Sequence, residues 1–340
     1  MVQEIANMVR WRADQMVIEK SDPLSKYSEL NGFAVYASDG HTHKASAHEK
    51  KIAEKKRPVT HIYSLNLRSH TLSSLALSTP QAYKKKEHEM STLKRIGAKV
   101  LRMGEPKGTR VIHVYDPAII GYRQWHKWKQ GSGIYILTLE KSNSALRTIG
   151  INQWDDDDPK NIGVVSDELV GPSNGVMMRR VTYRDPVTGK VYRFITNELT
   201  LSPGIIAFLY KLRWDVEKTF DEIKNKTFEK KVWAGNDNAK RQQSMFIALA
   251  HNLMRMLEMK LEHEEGIVDC ISAKKQKKRI ADDILRATNA GRTHNPLVTE
   301  WHRATQRCCQ FIRWLVGCLE NSTSWSVAVD QLRPLMIKLL

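Results

Sequence analysis

Tyr210, Arg213, Glu217 and Lys224 lie in one stretch, YKLRWDVEKTFDEIK, and bring a hydroxyl, two cations and a carboxylate together. On a helix advancing about 100° per residue, counted from Tyr210, they fall near 0°, 300°, 340° and 320°. Leu212, Val216, Phe220 and Ile223 fall between about 200° and 280°, a separate apolar stripe suited to a core. Two further acids stand at the ends of apolar β-rich runs, Asp39 and Asp116. Three clustered carboxylates repel one another unless a hard cation joins them, and magnesium or manganese suits such oxygen ligands. Two such ions about 4 Å apart can activate a water or a 3′-hydroxyl and stabilise the leaving oxygen of a phosphodiester. The helix spacing also suits a solvated polar face carrying an Arg213–Glu217 i,i+4 ion pair, and spacing alone leaves both readings open.

The elements that must position these groups follow from patterning. Residues 33–36 read as a short strand leading to Asp39-Gly40, where the acid either reaches an open sheet edge or serves a turn. Residues 60–67 and 71–78 read as a hairpin joined by Arg68-Ser-His70. A charged amphipathic helix is expected from Pro80 to about residue 102. Residues 110–115 form a strand ending in Asp116-Pro117; Asp116 is either a sheet-edge acid or the N-cap of the helix that follows. Residues 133–138 form another strand. The order β, β, β, α, β, α, β is that of a ribonuclease-H-like α/β domain, a mixed sheet flanked by helices. In such a sheet the first and fourth strands lie side by side, so their acids can converge with one from a packed helix.

Residues 142–204 break the alternation and read as a β-rich insertion before the helix of Glu217. Strands over 177–183 and 190–196 flank Asp185-Pro-Val-Thr-Gly189, and Asp155 to Asp158 read as a solvated loop. Residues 238–262 read as a long helix whose apolar stripe, Phe246, Leu249, Ala250, Leu253 and Leu257, is expected to face the core. The expected organisation is a helical arm over 1–30, a core from 31–141 and 205–262, the insertion over 142–204, and a helical region over 263–340.

The pattern Tyr-x2-Arg-x3-Glu-x6-Lys, with Trp214 and Phe220 at neighbouring places, resembles the signature of bacterial insertion-sequence transposases of the DDE superfamily, in the Tyr-Arg-Glu-Lys group. Ser38-Asp39-Gly40, Val114-Tyr115-Asp116 and Phe194-Ile-Thr-Asn197 resemble the family's context around its acids, so the resemblance spans about residues 30–260. It implies that Asp39, Asp116 and Glu217 form a catalytic triad binding Mg2+ or Mn2+, two ions in all. It implies that Tyr210, Arg213 and Lys224 contact phosphates at a transposon end, and that an insertion tryptophan, Trp154, stacks a displaced base. The implied chemistry is hydrolysis at the element's ends, then 3′-hydroxyl attack on target DNA, by a homodimer. Only 38 residues precede Asp39, which leaves little room for the N-terminal DNA-binding region of family members. Asp221, near 20°, rivals Glu217 for the third position. A nuclease that cuts without joining, or a catalytically silent DNA-binding derivative, are the alternatives.

Composition agrees with a nucleic-acid partner. The net charge is +17 over 340 residues, while hydrophobic (41%) and charged (27%) fractions are those of a soluble globular chain. No apolar run is long enough for a membrane span, and the N-terminus lacks the apolar core of a signal peptide, so a cytoplasmic, nucleoid-associated bacterial protein is expected. Cys270, Cys308, Cys309 and Cys318 form no paired metal-binding pattern and read as reduced thiols. His41, His43 and His48 lack i,i+4 ligand spacing, and Lys44, Lys50, Lys51, Lys55 and Lys56 mark a basic solvated segment.

Overall fold

Strand β1 (Phe33–His43) divides its residues between two cores. Phe33, Val35 and Ala37 enter one; Ala34 and Tyr36 enter the other. This is the two-residue period of an extended chain, in which parity decides the face. The computed structural model describes residues 1–44, 59–78, 80–81, 85–172, 175–226, 231–267, 270–298 and 309–337. Most of the basic segment, including His48, lies outside them.

Helix α1 (Val2–Ser21) precedes β1, which is followed by β2 (Val59–Asn66), β3 (Leu72–Ser78) and a separate small pair, β4 (Pro80–Gln81) and β5 (Lys85–Lys86). Then come α2 (Glu89–Leu101), β6 (Arg110–Val114), α3 (Tyr122–Ser132) and β7 (Ile134–Leu139). Strands β8 (Arg147–Ile151), β9 (Val164–Gly171), β10 (Met178–Arg184) and β11 (Val191–Thr196) follow. The chain ends in α4 (Pro203–Leu212), α5 (Trp214–Lys226), α6 (Asp237–His263), α7 (Cys270–Asn289), α8 (Cys309–Glu320) and α9 (Trp325–Ile337).

One nine-stranded sheet runs β3-β2-β1-β6-β7-β11-β10-β9-β8. Its centre, β1-β6-β7, is parallel and the remaining pairs are antiparallel. The fold is the expected mixed, ribonuclease-H-like sheet with helices on both faces. Met90 and Leu93 of α2 with Trp125 and Trp128 of α3 cover one face; α4, α5 and Ile247 of α6 cover the other. The strands of 142–204 are not a separate layer. Strand β11 pairs with β7 and extends the central sheet outward. Strands β8 and β9 escape a pattern search because β8 is almost wholly exposed and does not alternate.

Four sequence expectations change. The helix expected from Pro80 begins at Glu89, where the His88 side chain accepts the N–H of Met90 and sets the cap. Asp116 does not cap a helix: its Oδ1 accepts from the N–H of Ala118 at 3.0 Å, a local Asx turn, and α3 starts at Tyr122. The single helix across Tyr210–Lys224 is two helices that meet at Arg213, where the bonds run three residues back, Arg213 N to Tyr210 O and Val216 N to Arg213 O. The fourth concerns α6. Phe246 and Leu253 are 41% and 49% exposed, while Gln243, Ser244, His251 and Asn252 are buried. That helix covers β3, an edge strand whose backbone groups require partners more than apolar cover. Asn252 supplies them, accepting from Leu72 N (2.7 Å) and donating to Leu72 O (3.0 Å).

The N-terminal arm packs on the body. Buried Asp14 of α1 accepts from Asn66, Ser69 and Thr71 at the β2–β3 connection. Cys318 is a free thiol; the side chains of Cys270, Cys308 and Cys309 lie outside the described residues. Among the described residues, no helix is long and apolar enough to cross a membrane.

Candidate active site

The parity that fills the cores also aims the acids. Phe33, Val35 and Ala37 face α4 and α5, and Asp39 continues the series on that face. Ile112 and Val114 of β6 face the same way, and Asp116 continues theirs. The last β1–β6 register pair is Ala37 with Val114, so each acid stands two residues beyond it, at the edge where β6 has ended. Strand β1 itself runs on to His43, paired with β2, so Asp39 lies within a strand rather than after one. Its Oδ1 accepts the N–H of Gly40 at 2.7 Å, and the carbonyl of Asp116 is held by Thr138 Oγ1 at 2.7 Å.

Helix α5 brings the third acid over this edge. Val216, Phe220 and Ile223 are buried against the sheet as the apolar stripe predicts, and Leu212 with them. The polar stripe then faces the acids. Arg213 Nη1 is 2.7 Å from Glu217 Oε1 and 3.9 Å from Asp39 Oδ2. Tyr210 is buried, with its ring centroid 5.5 Å from the Arg213 guanidinium. The i,i+4 ion pair exists, but with Arg213 buried rather than solvated, and it sits beside Asp39. Asp221 is exposed. Lys224 lies on α5, but its side chain is outside the described residues.

Electrostatics record the crowding. Burial foremost lifts the Asp39 carboxyl to about 6 from its ordinary 3.8; Asp116 and Glu89 push the same way, while the Gly40 N–H and Arg213 oppose. Burial likewise raises the Tyr210 phenol, with Arg213 lowering it and Asp116 and Glu217 raising it, which keeps the hydroxyl protonated. A folded-state value above the unfolded one favours the folded protein when the group is protonated. The stabilisation is complete below about pH 3.8 and is lost as pH rises through about 6. In chelator and without DNA, wild-type protein is expected to lose melting temperature relative to Asp39→Asn across that interval. Thermal melts of the two proteins, compared at each pH, check this.

Glu89 is a group that sequence reading misses. It opens α2 opposite Gly40, where an added Cβ would sit 2.5 Å from Glu89 Oε1. No sequence signal places it there, because the start of α2 is set by a histidine cap. Trp154 is not brought to the acids. It lines a separate pocket with Glu29, Asn161, Arg179, Ser202 and Pro203 at the first turn of α4, whereas Tyr210 is in that helix's last turn. A different, aromatic concavity includes Tyr210 and is lined also by Tyr183, Tyr192, Phe194 and Trp214.

The donor set Asp39, Asp116 and Glu217 is all hard oxygen. By chemistry these residues fit a divalent ion. As placed they do not close on one point: among the described residues, no group of three or more His, Cys, Asp or Glu side chains stands close enough to hold a metal.

Acids from two adjacent parallel strands and a glutamate from a packed helix stand at one edge of a ribonuclease-H-like sheet. Residues 34–253 match the family described as Transposase DDE domain, and the chain belongs to that family. It is also similar to a Sinorhizobium fredii (strain NBRC 101917 / NGR234) protein that carries the name Putative transposase y4zB, 26% identical over 150 residues. That match covers 42% of this chain and 42% of the relative, so the chain spans under half the length of that protein.

Proposed function

We propose that the protein is a DNA transposase that cleaves phosphodiester bonds at transposon ends and joins the freed 3′-hydroxyl to target DNA. The observation that carries this reading is the approach of Asp39, Asp116 and Glu217 to one sheet edge, with Arg213 and Tyr210 beside them. Bound by the three carboxylates, magnesium or manganese, as two ions, supplies Lewis-acid stabilisation of charge on the reacting phosphate oxygens. The chain's own groups bind and orient the DNA. Arg213 offers a planar fork of donors to a phosphate, and the protonated Tyr210 hydroxyl donates one more hydrogen bond. Lys224 adds a cation to the same helix. The net charge of +17 draws the polyanion in and makes binding fall steeply with salt.

The base-stacking role belongs to the concavity of Tyr192, Tyr210 and Trp214 rather than to Trp154, because that concavity includes Tyr210, whose ring neighbours Arg213. Two copies act on paired ends, at the bacterial nucleoid. The test is an assay of the purified protein with Mg2+ on precut DNA ends taken from the borders of its own reading frame. Joined products are expected. Cutting without joining would favour a nuclease on the same fold, and binding without either reaction would favour a silent derivative.

A further inference from the structure

Arg213 stands between two of the three carboxylates. Its Nη1 bonds Glu217 Oε1 at 2.7 Å and lies 3.9 Å from Asp39 Oδ2, so one guanidinium faces two of the three acids. The side chain is only 8% exposed. Its Nε is buried without a hydrogen-bond partner among the described residues. Leaving a buried donor unsatisfied is costly, and a phosphate oxygen is a fitting acceptor for it. The residue also sits at the junction of α4 and α5, outside either helix.

We infer that Arg213 is a latch: in the DNA-free protein it stands in for the divalent ion between Asp39 and Glu217, and it frees those oxygens when a DNA phosphate draws it away. This rests on the reading of Asp39, Asp116 and Glu217 as ion ligands. A guanidinium and a hard cation compete for the same carboxylate oxygens, and a phosphate competes with those carboxylates for the guanidinium. Ion binding and DNA binding are therefore coupled, and coupling between two ligands is reciprocal. The hydrolytic site is completed only where DNA is already seated, which protects other phosphodiesters from stray cleavage.

The experiment is a Mn2+ titration of metal-stripped, full-length protein, followed by the paramagnetic resonance signal of the free ion. Without DNA, Arg213→Gln is expected to bind Mn2+ about tenfold more tightly than wild type, within the usual range of coupling. Adding a short blunt DNA duplex should tighten Mn2+ binding by wild type about as much, after subtracting ion held by duplex alone, and should add nothing in the variant. Arg213→Lys keeps a cation without the planar fork and should fall between; it carries the test if Arg213→Gln does not fold. Wild-type Mn2+ affinity in both variants without DNA overturns the latch. Asp39→Asn and Glu217→Gln, titrated with duplex present, separate the two claims. If they lose Mn2+ while the Arg213 variants behave as wild type, the latch alone fails; if they retain it, the site reading fails.

Discussion

Asp39→Asn, Asp116→Asn and Glu217→Gln are each expected to slow strand cleavage by at least about a thousandfold while DNA binding survives. Each substitution keeps the size of the side chain and removes one negative charge. Cleavage suffers because the three carboxylates act as a unit: with one ligand gone, the remaining two hold a hard cation poorly. Groups that act as a unit are not additive, so a double substitution should cost little more than a single one. Binding survives because its energy comes from phosphate contacts to a chain of net charge +17, and an acid lost from the site only lowers repulsion of the polyanion. Single-turnover cleavage and filter binding measure the two effects apart. Wild-type cleavage in all three variants would remove the triad from the account.

Arg179→Met should have the largest effect on stability, roughly 3–5 kcal/mol, because it leaves buried carboxylates without their cation. Arg179 on β10 is 3% exposed. It grips Asp167 of β9 with two bonds, Nε to Oδ1 at 2.9 Å and Nη2 to Oδ2 at 2.6 Å. Its third donor goes to Leu201 O at 2.6 Å, and Glu198 lies 3.8 Å away. Asp167 and Glu198 are each 1% exposed. The residues that Arg179 and Glu198 tie down, Thr200 and Leu201, lead directly into α4. That helix is seated so closely on the turn at Lys160 that a Cβ at Gly204 would lie 1.9 Å from Lys160 O. The pair therefore fixes the start of the two joined helices that carry Tyr210, Arg213 and Glu217. Arg179→Lys keeps the charge but not the fork, and should recover only part of the loss. Urea unfolding gives the free energies; a loss under about 1 kcal/mol for Arg179→Met would mean that the pair is dispensable.

What could be read from sequence followed from element order and periodicity. The order of elements placed Asp39 and Asp116 on neighbouring strands, and the 3.6-residue period placed Leu212, Val216, Phe220 and Ile223 in the core. The polar stripe of α5 followed from the same geometry. What periodicity could not supply was anything set by a partner distant in sequence. Phe246 and Leu253 of α6 point outward because β3 required Asn252 on its backbone, a demand that exists only once the hairpin lies against the helix. Strand β8 carries no alternation, since pairing with β9 alone holds it in place. Trp154 is a base-stacking candidate only through the family resemblance of its segment, and in the fold it lies by the first turn of α4, the end opposite Tyr210. Glu89 was hidden for the same reason: its approach to Gly40 depends on where a histidine starts α2.

The central claim is that Asp39, Asp116 and Glu217 converge on a divalent ion when DNA is present. Anomalous diffraction from crystals of the protein grown with a DNA duplex and Mn2+ tests it most directly. The expected result is a manganese peak ligated by all three carboxylates, with Arg213 turned to a phosphate. A peak bound elsewhere, or Glu217 still paired with Arg213 while manganese sits on the two aspartates alone, would contradict the account.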